Sequence, residues 1–564
     1  MTADATAPSW LSRLARPRAA VPLLLVLCLI AMLPGLRTLP AIDRDEARFA
    51  QAARQMLETG DFIDIRFQDG PRYKKPAGIY WLQALATAAT GESAANPIWT
   101  YRLPSQLGAA LAVLLTYALG AVLFGPAAGL LGAALLALSV LLNVEARLAK
   151  TDAVLLATAV AAQLCLARAY LAGRGAGPSC GALTAYGFWA AQGAAILIKG
   201  PVVPMFSALT AAALIVWERR SAWLLALRPS RGSALMLAIA APWYVAITLL
   251  SDGAFWAEAM SRDLFGKVVS AQENHGAPPG YYLLLLGVTF LPGAVLMARA
   301  VPYAWQGRNR AAVRFCLAWI VPAWLLFELI PTKLPHYVLP AYPALALLCA
   351  AALGQPSAAI SPRWVRWPGW ALSGLALLTG VILAAAFAAL APVADARFAP
   401  AGPVAAAGAA VAITAAWRLT LRPRPLAPRG TGALVLGAVV MHGAAFGALF
   451  PGLQAPWISA RLGDAVAAYD VPPQRIALAG YTEPSAVLEL GTAVRLLDAK
   501  RAAAAMAAAE IDIAVIAERA DPAFVGALGA AGAGVVAFER VQGFNLGKGR
   551  RVTLYLYRRE GRRP

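Results

Sequence analysis

The sequence predicts a polytopic α-helical membrane protein of about thirteen transmembrane helices, followed by a small α/β domain outside the membrane. Three observations carry that prediction. The 564-residue chain is 60% hydrophobic and only 14% charged, with a mean hydropathy of +0.62, whereas soluble domains carry roughly 25% charged residues. Apolar runs of about 18–22 residues recur, the length a helix needs to cross the hydrocarbon core. They do not alternate, so they read as helices rather than barrel strands. After Phe450 the pattern changes to short β-like runs separated by Ala-rich stretches.

The predicted spans are 20–38, 102–124, 127–144, 153–172, 183–199, 201–217, 233–251, 281–300, 312–330, 336–353, 369–393, 402–418 and 431–450. The first run follows Arg13, Arg16 and Arg18 and has the outline of a signal peptide. It reads as an uncleaved first span, because the later loops demand its orientation. With the N-terminus inside, the inner loops collect Arg174, then Arg219, Arg220, Arg228 and Arg231, then Arg308 and Arg310, then Arg363 and Arg366, then Arg418, Arg422, Arg424 and Arg429. This positive-inside bias accounts for the net charge of +20. No basic patch is interleaved with exposed aromatics, so nucleic acid is not an expected partner. The five cysteines show no paired spacing of a zinc or redox motif and read as small apolar fillers.

On this topology 38–101, 143–152, 252–279 and 331–337 face outward, and an odd span count puts the C-terminus outside as well. Within the first outer segment, 46–57 predicts an amphipathic helix with Phe49, Ala53, Met56 and Leu57 on one face. "GIYWLQALATAA" (78–89) is a second apolar piece, short for a span. Both are expected in or on the membrane interface. The chain therefore divides into a membrane domain, 1–450, and a periplasmic α/β domain, 451–564. In the latter, "RIALAG", "IDIAVIAE", "GVVAFERV" and "RVTLYLYRR" read as strands, and "GFNLGKGR" (543–550) as a turn between two of them.

The outer segments hold the residues capable of chemistry. "AIDRDEARFAQAARQML" (41–57) places Asp43, Asp45 and Glu46 among Arg44, Arg48 and Arg54. By itself Asp45 suits a helix N-cap, but such crowding of charge also marks functional sites. Lys74 and Lys75 in "PRYKKPAGIYW" suit either lipid-headgroup snorkelling or capture of a lipid phosphate. Asp152 begins an apolar span, where a carboxylate favours the helix dipole. "SRDLFGKVVSAQENHGAPPGYY" (261–282) offers Asp263, Lys267, Glu273 and His275. "PTKLPHYVLP" (331–340) offers Lys333, His336 and Tyr337, and "LIKGPVVP" adds Lys199. His442, inside the last span, reads as structural. Together these describe acids and phosphate-capable cations on one face of a bundle. That suits transfer of a group from a lipid-phosphate donor, a carboxylate activating the acceptor and cations stabilising the departing phosphate.

"DEARFAQAARQMLETGDF", "YKKPAGIYWLQAL", "TDAVLLA", "LIKGP", "APWY" and "TKLPHYVLP" resemble, in order across 40–350, the C-type membrane glycosyltransferases. The nearest likeness is to the lipid A aminoarabinose transferases and the dolichyl-phosphate-mannose–protein mannosyltransferases. The resemblance implies a C-type glycosyltransferase fold and inverting transfer of a sugar from a polyprenyl-phosphate donor. The acceptor would be lipid A-like or another cell-envelope glycan on the outer face of the bacterial inner membrane. By position it implies Asp45 as catalytic carboxylate, Arg48 as its neighbour, Lys75 on the donor phosphate, Asp152 as a second acid, and Tyr337 on phosphate or sugar near Lys333. Lys74 and Lys267 would add cations, and Asp43, Glu46, Asp263 and His275 would support the site or the acceptor.

The chain departs from the aminoarabinose pattern where it has Lys74 for a Glu, Leu264 for a His and Lys267 for an Arg. With those family metal-ligand positions replaced, no cofactor is expected with certainty and a divalent cation stays open. The chain is expected to act as a monomer. Protein O-mannosyl transfer is the alternative reading. A transporter ranks third, since neither a repeat nor a midplane acid is seen.

Overall fold

The computed structural model describes residues 8–42, 44–91, 97–259, 276–355, 362–422, 426–531 and 534–559. Eight described helices are long and apolar enough to cross a membrane: Ile98–Phe124, Asp152–Ala172, Pro229–Leu250, Ala311–Leu329, Pro335–Leu353, Arg363–Val393, Ala401–Leu421 and Pro428–Gly452. A ninth arises if Tyr281–Thr289 and Gly293–Gly307, bent by 111°, count as one span. The bend lies at Pro292, which has no amide to continue the helical ladder. Other predicted spans fall on shorter apolar helices, Pro17–Met32, Pro126–Ala137 and Val202–Glu218, or on Ala182–Lys199. The expected 127–144 span is broken: Pro126–Ala137 stops and a separate short helix, Val140–Glu145, follows.

Asp152–Ala172 is central, with 72% of its most apolar window buried, against 17% for Arg363–Val393 at the periphery. Small residues let neighbours close in. A Cβ on Gly408 would lie 2.5 Å from the Met441 nitrogen, and one on Gly437 2.5 Å from the Ala412 nitrogen, so Ala401–Leu421 and Pro428–Ala444 touch backbone to backbone.

The acidic stretch forms the helix Asp45–Thr59, closed by Gly60 at φ 72°. Its polar side is covered too: Gln51, Arg54 and Gln55 are buried, the first two under the C-terminal sheet region and Gln55 against the Gln68 backbone (2.9 Å). Gln51 Nε2 donates to Thr492 Oγ1 (2.6 Å) and Arg54 Nη1 to the Leu488 carbonyl (2.7 Å). Gln68, beyond the helix, donates to the Thr492 and Val494 carbonyls. Arg66–Phe67 (β1) and Gly70–Pro71 (β2) make a small hairpin, and Gly78–Ala89 is the expected second helix.

The C-terminal part carries β3 (Ile476–Ala479), β4 (Arg495–Leu496), β5 (Ile513–Ala517), β6 (Val535–Asn545) and β7 (Arg550–Arg559) in the order β4-β3-β5-β7-β6. β3 is parallel to β4 and β5, and β7 is antiparallel to β5 and β6. β3 and β5 are buried along their whole length, as parallel strands covered on both faces must be. Apolar clusters lie on both sides of them, one around Leu478 and Val515, the other around Ala477 and Ile516. Residues 546–549 form the β6–β7 turn.

One ion pair locks the outer segment to the bundle. Glu46, at 2% exposure, accepts Arg102 Nε at Oε1 (2.8 Å) and Nη2 at Oε2 (3.0 Å). Its two oxygens also take the Ala149 and Ile42 amides at 2.9 and 2.8 Å. Arg102 spends its other N–H groups on the Leu36, Leu39 and Pro40 carbonyls. Glu46→Ala strands that guanidinium in the interior, so it should destabilise the protein by about 3–5 kcal/mol. Thermal unfolding in detergent would read this as a large drop in melting temperature.

Candidate active site

Four chain segments meet at the N-terminal end of the central helix Asp152–Ala172. The segment 145–152 brings Glu145, Lys150 and Asp152. The C-terminus of Ala182–Lys199 brings Lys199, and the turn Pro335–Ala341 brings His336 and Tyr337. Helix Asp45–Thr59 brings Asp45 and Arg48. The local causes are plain. Gly200-Pro201 stops one apolar helix so that Lys199 is its last residue. Pro335 and Pro340 keep the 335–341 turn short.

The side chains form a network. Lys199 Nζ is 2.5 Å from Asp152 Oδ1, and Lys150 Nζ is 3.8 Å from Asp152 Oδ2 and 3.3 Å from Glu145 Oε2. The His336 imidazole lies between the two acids, Nδ1 3.6 Å from Glu145 and Nε2 3.9 Å from Asp152. Its ring meets that of Tyr337 edge-on at 5.2 Å, and Lys199 Nζ is 5.8 Å from the Tyr337 ring centre. Burial alone would lower the Lys150 amine, but the charges of Glu145, Asp152 and Asp45 outweigh it and hold it above the ordinary range. That coupling joins the buried network to Asp45, which is 58% exposed and 3.9 Å from Arg48. Burial pushes the Glu145 carboxyl up to about 7 against the pull of Lys150.

Asp45 does not cap its helix. Arg44 holds the N-cap position at φ 69° with no side-chain cap, and Asp45 begins the first turn. Its carboxylate is thereby left at a helix N-terminus, where the dipole favours negative charge. Glu46 cannot meet an acceptor: it is buried and fully occupied by Arg102 and two amides. Lys333 is buried and donates to the Ile330 carbonyl (2.6 Å), closing the end of helix Ala311–Leu329. Lys75 donates to the Lys74 carbonyl (3.0 Å), and Lys74 is exposed just before the Gly78–Ala89 helix. His442 is buried against the Leu138 carbonyl. Asp43, Asp263, Lys267, Glu273 and His275 lie outside the described residues.

Glu145 and Lys150 escaped the sequence reading, though "EARLAKTD" sets four charges among apolar neighbours, an arrangement that demands pairing. Glu145, Asp152 and His336 each put one ligand atom within 4.8 Å of the others. Lys150 and Lys199 already pair with these carboxylates, so a divalent ion held there would compete with their amines.

The model of the dolichyl-phosphate-mannose-protein mannosyltransferase family matches residues 74–245. The undecaprenyl phosphate-alpha-4-amino-4-deoxy-L-arabinose arabinosyl transferase of Pseudomonas aeruginosa is 30% identical over 341 residues, which is 60% of each chain. That of Pectobacterium carotovorum is 27% identical over 354 residues, 61% of this chain and 60% of its own. The chain thus spans about 60% of the length of these curated relatives. Crystal structures of ArnT from Cupriavidus metallidurans, apo and bound to undecaprenyl phosphate, match with TM-scores of 0.71 and 0.72 at 19% and 20% identity. Both matches cover 95% of this chain and 97% of theirs. This chain has the ArnT fold. It resembles the C-type membrane glycosyltransferases and is a multi-pass membrane protein.

Because the Glu145 carboxyl sits above its ordinary 4.5 in the folded protein, its stabilising contribution is complete below that value and is lost as pH rises through about 7. Melting temperatures followed from about pH 5 to pH 8 should fall more steeply for the native protein than for Glu145→Gln. Parallel curves would remove Glu145 as the titrating group.

Proposed function

We propose that this chain is an inverting glycosyltransferase that moves a sugar from a polyprenyl-phosphate donor to a lipid A-like or other cell-envelope glycan acceptor. The work would take place at the outer, periplasmic face of the bacterial inner membrane. The observation that carries the reading is the convergence of an exposed carboxylate, Asp45, with Arg48, Lys150, Asp152, Lys199 and Tyr337 at one end of a helical bundle. The resemblance to arabinosyl transferases named for undecaprenyl phosphate, and to an ArnT crystal structure bound to it, supports the donor class.

In this reading the acceptor hydroxyl oxygen attacks the anomeric carbon from the face opposite the phosphate. The carbon–oxygen bond to the phosphate breaks, its electrons go to the phosphate oxygen, and the hydroxyl proton goes to the Asp45 carboxylate. Arg48 and Lys199 meet the developing charge, with Lys75 reaching it from the first outer segment and Tyr337 beside Lys199. Asp152 is a positioning residue: its contact with Lys199 holds that amine in place. Residues 1–450 carry this chemistry, and 451–564 cover the outer segment.

A second reading, protein O-mannosyl transfer, is favoured by the match to that family's model over 74–245. It differs in acceptor. Mass spectrometry of the cell envelope from a deletion strain would separate the two, lost protein glycopeptides selecting mannosylation and lost lipid-linked sugar selecting the first.

Asp45→Asn should lower sugar transfer from a polyprenyl-phosphate donor about 10²–10⁴-fold. Its melting temperature should hold, since the side chain is 58% exposed. Near-native turnover by this variant would overturn the assignment. Lys199→Ala should weaken donor binding more than acceptor binding, read as a rise in donor KM with little change in acceptor KM.

A further inference from the structure

At the opposite end of the bundle from the acidic network lies a second built feature. Helix Asp152–Ala172 has 21 residues and so runs roughly 30 Å. Beyond its far end Arg174, with Arg314 and Tyr170, grips Glu218 at the C-terminus of Val202–Glu218. Beside that cluster a groove of about 740 Å³ opens between helices Val202–Glu218, Met297–Gly307, Ala311–Leu329 and Arg363–Leu390. Its floor is aliphatic and alanine-rich, with Ala300, Leu317 and Val321 among its lining, and its rim is Trp217, Trp305, Trp364 and Arg308. Trp364 also borders an adjoining hollow of about 420 Å³ whose other walls are Arg363, Arg366, Trp367 and Trp370. Both volumes lie in the range of about 300–1,000 Å³ usual for small-molecule sites.

The rim has one sign of charge. Arg308 stacks 4.3 Å over the Trp305 ring, and Trp305 meets Trp364 edge-on at 4.9 Å. The segments 303–314 and 354–370 contain no Asp or Glu, and Glu218 is already spent on two arginines. Arg363 and Arg366 make no ion pair among the described residues, and Arg366 Nε is buried without a hydrogen-bond partner there. A buried guanidinium nitrogen left unmatched is costly. A dry apolar groove with indoles at its mouth and unneutralised guanidinium groups beside them is complementary to an amphiphile with an anionic head.

We propose that this cleft binds an anionic glycerophospholipid, its acyl chains in the groove and its phosphate against Arg363 and Arg366, with Arg308 at the edge. A polyprenyl-phosphate donor with its phosphate at the acidic network would present its head at the other end of the bundle, so the two lipids occupy separate sites. The inference is independent of which sugar or acceptor the chain uses.

Native mass spectrometry of the full chain released from micelles with equal phosphatidylglycerol and phosphatidylcholine tests it. The native protein should retain phosphatidylglycerol in preference, and each guanidinium removed in Arg363→Gln and Arg366→Gln should reduce that preference about fivefold. Arg366→Lys, which keeps the charge, should keep the preference. Ala300→Trp, which fills the groove, should lower retention of both lipids. Equal retention of the two lipids by the native protein would overturn the proposal. So would an unchanged preference in the double Gln variant, or polyprenyl phosphate displacing phosphatidylglycerol from the cleft. Unaltered melting temperatures in the two Gln variants, whose side chains line the adjoining hollow, keep loss of binding distinct from loss of fold.

Discussion

The buried Glu46–Arg102 pair is the constraint on which the site depends. A charge pair removed from water is tolerated only when its remaining donors and acceptors are matched, and here they are. Both carboxylate oxygens take an arginine N–H and a backbone amide, and the guanidinium also reaches three carbonyls between Leu36 and Pro40. One of those amides belongs to Ala149. The same carboxylate therefore fixes the start of helix Asp45–Thr59 against the backbone next to Lys150. Asp45, one residue before Glu46, is held within electrostatic reach of Lys150. Asp45 is exposed while its neighbour Glu46 is buried.

From that anchor the electrostatics of the network follow. Glu145 and Asp152 are almost fully buried and would be prohibitively expensive alone, but Lys150 and Lys199 balance them. The His336 imidazole lies between the two acids. The C-terminal sheet region adds a cover of a different kind. By bonding Gln51 and Arg54 on the helix and Gln68 beyond it it buries a helix face that would otherwise be wet. At the far end of the same central helix, arginines outnumber acids, so the two ends differ in charge logic as well as position.

Much of this architecture is legible along the chain. Hydrophobic length marks where helices cross, since the bilayer sets one scale for all of them. The 78–89 helix, the strands of 451–564 and the β6–β7 turn are equally local. The candidate site is only half legible. Asp45, Arg48, Asp152 and Tyr337 announce themselves as charge or polarity beside apolar runs, while Glu145 and Lys150 look like an ordinary polar link between two helices.

The sequence by itself determined the class of the molecule, its arginine asymmetry and the short segments between spans in which its acids, lysines and histidines gather. These depend on composition and spacing, which act over a few turns of helix. Only the tertiary structure decided which acid stays exposed. Asp45 and Glu46 are adjacent carboxylates with near-identical local signals, and Arg102, 56 residues further on, takes one and leaves the other. Likewise Lys333 and Lys199 read alike on paper. One closes a helix end through Ile330 and the other meets Asp152, because burial forces each amine onto whichever oxygen the packed chain brings within reach.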